Sequence, residues 1–177
     1  MHRIVFLLFF ACCLPARAEE VKICYSDECA AQTIVTFSEQ QLANAAALFD
    51  GIRDAASERD AIAHAVGMLA RYAGEQSPAL REHDGGNGGN AVGRMDSLDQ
   101  SFNTTAYLRV LENRDLLKLH RVKSRVVRGA TKPHWAARIS EIRTHKEFAV
   151  DSSYFANGHP AVIFPLDEWL KGAKPNV

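Results

Sequence analysis

The chain has 177 residues, 47% hydrophobic and 24% charged, with 21 Lys+Arg balanced by 21 Asp+Glu. That length suits one ordinary domain with its own core. The balanced charge argues against nucleic acid or an anionic membrane surface as a partner.

The N-terminal "MHRIVFLLFFACCLPARAEE" sets a short basic start before an apolar run from Ile4 to Leu14, followed by the small-x-small pattern Ala16-Arg17-Ala18. This is the grammar of a secretory signal peptide, and the run is shorter than the roughly 20 residues a bilayer span needs. Bulky Phe9 and Phe10 argue against lipoprotein processing at Cys12 or Cys13. We expect residues 1–18 to be removed, leaving 19–177 as a single domain in the periplasm or outside the cell. Loss of Arg3 and Arg17 lowers the basic total from 21 to 19 against 21 acids, a formal charge of −2. No second apolar run suggests a membrane span in the mature chain.

Cys24 and Cys29, in "ICYSDEC", are the cysteines left in the mature chain. In an exported protein a close pair is expected to form a disulfide. The spacing is wider than that of a redox C-x-x-C, and the segment offers too few Cys or His for zinc. Neither a metal nor another cofactor is expected.

"TIVTF" (33–37) is a β-rich run, and Ser38 with Gln41 forms a capping box before a helix whose face is Leu42, Ala45, Ala46 and Phe49, with Gly51 at its stop. A second helix is predicted to start at Ser57 and Asp60, carry the stripe Ile62, Val66, Leu69 and Ala73, and end at Gly74. His64 falls on its surface. The stretch 75–94, rich in Gly and Asn, is a loop. It has neither the ending of a phosphate-binding loop nor calcium-loop spacing, which leaves a surface loop or the rim of a neighbouring site.

Asp96 is placed to cap a helix starting near Ser97, and Asp99 adds negative charge to its first turn. Its inward face is expected to be Leu98, Phe102, Thr105, Leu108 or Tyr107, and Leu111. Asn103-Thr104-Thr105 matches a glycosylation sequon but lies inside this helix. Three strands follow, "LHRVKSRVV", "HWAARISEI" and "KEFAVDSSYF", the last two joined by a turn around "RTHK". "PAVIF" adds a short strand, and "PLDEWLKG" a closing helical turn with Pro165 at its first position. His120 and His145 are expected at the surface, and His159 in a turn. Helices first and an antiparallel sheet last define an α+β class.

The order of three residues carries the functional reading. A helix begins at Ser97, His134 opens a strand 37 residues later, and Asp151 closes the next strand 17 residues beyond. With "HWAARI" and "FAVDSSY", and with "LLKLHRV" between helix and sheet, residues 93–153 resemble the core of the transglutaminase-like branch of the papain-like superfamily. The resemblance implies a nucleophile at the start of a buried helix, a histidine on one strand and an aspartate on the neighbouring strand that orients it. The departure is at the centre, because the family's cysteine position holds Ser97. A thiol reaches its reactive anion with modest help from a helix N-terminus or an imidazolium. An alcohol needs a base in contact during attack and donors for the oxyanion.

Ser97, His134 and Asp151 are therefore the candidate catalytic positions, with Asp99 and Trp135 as pocket neighbours. Together, the signal peptide and the resemblance imply an exported protein whose transglutaminase-like core lacks the cysteine nucleophile and binds a peptide or protein segment in the inherited cleft. The alternatives are an amide or ester hydrolase or acyl-transfer enzyme using Ser97, His134 and Asp151, and a structural envelope protein without a cleft function.

Overall fold

The computed structural model describes residues 18–80 and 95–176. The expected signal peptide, up to its last residue, and the Gly/Asn-rich part of the 75–94 loop lie outside the described residues. Both helices and antiparallel sheets are present, so the class is α+β. No helix among the described residues is long and apolar enough to cross a membrane.

The chain opens with a hairpin of β1 (Glu19–Tyr25) and β2 (Ala31–Phe37), whose register pairs Glu19 with Phe37 and Tyr25 with Ala31. The β2 run is legible from its branched residues. Its partner β1, in a segment expected to be only a stapled arm, is not. Two antiparallel strands alone are marginal. Here Ile23, Val35 and Phe37 are buried in the main core, and β1 lies against α3.

Helix α1 (Glu39–Ala47) follows, with Ser38 and Gln41 forming the expected capping box. Helix α2 (Ala55–Gln76) starts three residues earlier than Ser57 suggested. Asp54 is the cap, and Ser57 is the third helical residue that closes the box on it. Ser57 thus takes the third-residue place expected of Asp60, and Asp54 the capping place expected of Ser57, because either a carboxylate or a hydroxyl can accept from a free helix N–H. The stripe is as expected, with Ile62, Val66, Leu69 and Ala73 all buried.

Helix α3 (Ser97–Asn113) leads into a four-stranded antiparallel sheet in sequential order: β3 (His120–Arg128), β4 (His134–Glu141), β5 (Glu147–Asp151) and β6 (Val162–Pro165). Helix α4 (Leu166–Leu170) closes the chain, with Pro165 as its cap rather than its first residue. α3 packs on β4, and Ala137, Ile139 and Val150 join Leu108 and Leu111 in the core. Alternation sends Ala136 and Ala149 to the opposite face, where these small side chains leave room for the fully buried Trp169 of α4.

Two more expectations are corrected. The buried residues in the first two turns of α3 are Asp99, Gln100, Ser101, Asn103 and Thr104, while Phe102 is 38% exposed and Leu98 and Thr105 are only half-buried. This part of the helix meets backbone at the hairpin turn and polar groups of the sheet, so its inward face must carry hydrogen-bonding groups. His120 is fully buried, not at the surface. Its Nδ1 lies 2.7 Å from a carboxylate oxygen of buried Glu58, and its Nε2 lies 3.3 Å from Arg59 Nη1. Arginine can only donate, so Nε2 accepts and the ring hydrogen sits on Nδ1 facing Glu58.

The strap between β5 and β6 is fixed on α2. The Ala161 N–H donates to Ala63 O at 3.1 Å, and Asn157 Nδ2 donates to Ala70 O at 3.1 Å. Gly67 makes the approach possible, since a Cβ there would stand 2.5 Å from His159 O. Ser153 and Tyr154 begin this strap.

Candidate functional site

The N-terminus of α3 is built from two aspartates. Asp96 accepts from the Asp99 N–H at 2.8 Å, and Asp99 accepts from the Asp96 N–H at 3.3 Å. The helix is thus capped without Ser97. The Ser97 hydroxyl oxygen instead accepts from the backbone N–H of Trp135 at 3.2 Å, tying the helix start to the start of β4. The serine is half-buried.

β4 places His134 next to this junction, and β5 ends at Asp151. His134 Nε2 lies 2.6 Å from Asp151 Oδ2. That oxygen also accepts from Trp169 Nε1 at 2.9 Å. Asp151 Oδ1 accepts from the Ser153 N–H at 3.1 Å and the Ser153 hydroxyl at 2.6 Å. The carboxylate is almost fully buried, yet each oxygen has two donors. Burial alone would raise its pKa. The hydrogen bonds of His134 and Ser153, the His134 charge and the indole N–H outweigh it and hold Asp151 below its usual value.

The imidazole of His134 lies between the rings of Tyr154 and Trp169, with centroids 5.8 and 5.7 Å away. Arg128 donates to the Tyr154 hydroxyl at 2.7 Å and lies over the Trp169 ring, which braces both aromatics. The His134 side chain is still 28% exposed. Among the described residues its Nδ1 has no hydrogen-bond partner, and no hydrogen bond links it to Ser97. Ser97, His134 and Asp151 are thus brought to one junction, with the Ser97 hydroxyl held by a backbone amide and the His134 ring held by a carboxylate.

On the other side of α3 lies the hairpin turn. Cys24 and Cys29 are disulfide-bonded, with Cα atoms 4.7 Å apart. Ser26, Asp27, Glu28 and Cys29 all adopt positive φ, at 68°, 48°, 54° and 58°. Each such non-glycine residue costs about 1–2 kcal/mol in a left-handed conformation. The disulfide closes the turn, and the Cys29 and Glu28 N–H groups donate to Asp99 at 2.6 Å and Asp96 at 3.2 Å.

Asn103 holds the adjoining strand on both sides. It accepts from the Cys24 N–H at 2.7 Å and donates to Cys24 O at 2.8 Å. It is also buried, so the sequon at Asn103 is closed to a glycan. Asp99 faces this turn, where burial, outweighing the Cys29 N–H, and then repulsion from Asp96 raise its pKa to about 6.

Trp135 is half-buried beside the same junction, with its ring on the Arg125 guanidinium at 5.2 Å. Three contributors, Ser153, Trp169 and Tyr154, were not singled out in the sequence. Ser153 directly follows the Asp151-Ser152 pair and could have been flagged as a local donor to that carboxylate. Trp169 comes from a separate helix, and no local signal marks it. Among the described residues no group of three or more His, Cys, Asp or Glu could hold a metal ion. A separate groove of about 670 Å³ between α2 and the strap is lined by Arg59, Phe155 and His159, among others, but not by Ser97, His134 or Asp151.

No protein-family model, curated protein or solved structure matches the chain.

Proposed function

We propose that this chain is an exported transglutaminase-like protein with serine at the nucleophile position, and that its cleft binds a peptide or protein segment without cleaving it. One observation carries the reading. His134 is held by Asp151 through Nε2 with Nδ1 left over, beside a Ser97 hydroxyl that receives the Trp135 amide and has no hydrogen bond to the imidazole among the described residues. A thiol at position 97 could be activated at such a place by a nearby imidazolium and the helix N-terminus. A hydroxyl of much higher pKa would need the imidazole in contact. The order of a helix followed by antiparallel strands bearing His134 and Asp151 supports the same reading.

The test restores the thiol. Ser97→Cys is expected to react with iodoacetamide faster than a free cysteine and with a thiol pKa below the usual value of about 8.5. His134→Ala in the same background should return both to ordinary values. An unexceptional thiol in Ser97→Cys would defeat the shared-site reading. The unsubstituted protein should not label with a fluorophosphonate probe, and an acyl-enzyme lost in Ser97→Ala would establish the hydrolase reading instead.

A further inference from the structure

Arg125 is placed against α3, at Ser101, by a break in the sheet. Along β3 and β4 the pairing passes from Lys123↔Arg138 to Val126↔Ala136, so β3 advances three residues while β4 advances two. The extra residue is a β-bulge, a feature that re-aims side chains. Val122 faces the core, and strict alternation from it would send Arg125 to the opposite face. With the bulge, Arg125 turns back to α3, where Nη1 donates to Ser101 Oγ at 3.1 Å. Arg138 Nε donates to Ser124 O at 2.9 Å and so satisfies a carbonyl in the bulge.

The guanidinium is held but not neutralised. Its carbon lies 3.4 Å from the Phe102 ring centroid and 5.2 Å from that of Trp135. Arg59, Arg71, Arg109, Arg114 and Arg138 each have a carboxylate within 3.6 Å. Arg125 has none among the described residues, and Ser101 Oγ accepts only one of its five N–H donors. Burial removes part of its water and lowers its pKa from the usual value, although a guanidinium stays charged. Phe102 is exposed and Trp135 half-buried, so a ligand can reach this platform. Ser101 lies four residues after Ser97, on the same helix face and about 6 Å along the axis.

We propose that Arg125, presented by the bulge and stacked on Phe102 and Trp135, is the subsite for a carboxylate of the segment bound in the Ser97–His134 cleft. The inference deepens the binding reading and rests on it for the identity of the occupant. The fork of N–H donors left over matches a carboxylate in two-pronged geometry. The carboxylate belongs to an acidic side chain within a residue or two of the part of the segment facing Ser97, or to a free C-terminus there.

The test uses the folded chain and reads Arg125 directly. The Nε–Hε NMR signal of Arg125, assigned with Arg125→Lys, is followed during titration with N-acetylglutamate α-amide, N-acetylalanine and the uncharged N-acetylglutamine amide. Saturable shifts with either carboxylate and none with the amide are expected, and the stronger carboxylate identifies the source. No shift with either, or a tighter response to inorganic phosphate, overturns the proposal.

A second arm compares peptide pools carrying Glu or Gln at one fixed position, and pools with a free or amidated C-terminus. About a tenfold preference for the charged pool is expected, lost in Arg125→Gln. A preference that survives in Arg125→Gln also overturns the proposal. Shifts at Arg125 without binding of any peptide pool would retain the carboxylate subsite and reject the peptide cleft.

Discussion

Among the described residues, two close carboxylate–imidazole pairs are of nearly equal length and differ in access. Glu58 and His120 join at 2.7 Å and are both sealed in the interior. Asp151 and His134 join at 2.6 Å with the imidazole partly open. In the first pair both ring nitrogens are engaged, and Glu58 also accepts the backbone N–H groups of Lys118 and Leu119. That pair staples the start of α2 to the start of β3. In the second the carboxylate has four donors, while the imidazole keeps one nitrogen without a partner among the described residues. Proximity of acid and base therefore does not distinguish a staple from a site. Access and the second nitrogen do.

The largest expected effect is at the staple. Glu58→Ala leaves the part-buried N–H groups of Lys118 and Leu119 and the buried His120 without their acceptor, and should cost about 3–5 kcal/mol in denaturant unfolding. His134→Ala should cost less, about 1–2 kcal/mol, because Asp151 keeps Ser153 and Trp169 as donors. If the two variants lost equal stability, the contrast between staple and site would fail.

Asp99 adds a third buried carboxylate, served by backbone N–H groups of the turn and the cap but by no histidine. Its pKa is raised from the ordinary carboxylate range to about 6. The stability linked to its protonation is fully present below the unfolded pKa and is lost as pH rises through about 6. Asp151, with its lowered pKa, behaves oppositely, since its contribution is present above the usual carboxylate range and lost as pH falls. Asp99→Asn should therefore gain on the unsubstituted chain by about 1–2 kcal/mol between pH 4 and pH 7 in parallel unfolding curves. A pH-independent difference would contradict the assignment.

A further effect of similar size tests what the indole N–H does for the open pair. Trp169→Phe keeps an aromatic ring against Ala136 and Ala149 but removes one donor from Asp151, and should cost about 1–2 kcal/mol. In the Ser97→Cys background the thiol pKa should move by less than it does with His134→Ala. An equal movement would make Trp169, rather than His134, the governing neighbour.

Local grammar explains what could be read early. The capping box at Ser38 and Gln41, the cap at Asp96, the apolar stripe of α2 and the alternation at the start of β3 all depend on residues a few positions apart. Ser97, His134 and Asp151 could be nominated because each sits at an element boundary, and boundaries leave local signals. The same grammar misassigned α3, whose apolar Phe102 was expected inward. Periodicity finds an apolar stripe, and here the buried face of the first turns is polar. β1 was missed because its alternation is short and acidic residues flank it.

The sequence alone therefore determined the main element types after β1, their order and the placing of Ser97, His134 and Asp151 at element boundaries, because caps, stripes and alternation act over one or two turns of chain. The tertiary structure decided which polar groups are spent and which are open. Asn103 bonds Cys24 across 79 positions, Glu58 bonds His120 across 62, and Trp169 bonds Asp151 across 18. Burying a polar group is favourable only with a partner, and such partners are chosen by packing between elements, which no local spacing records.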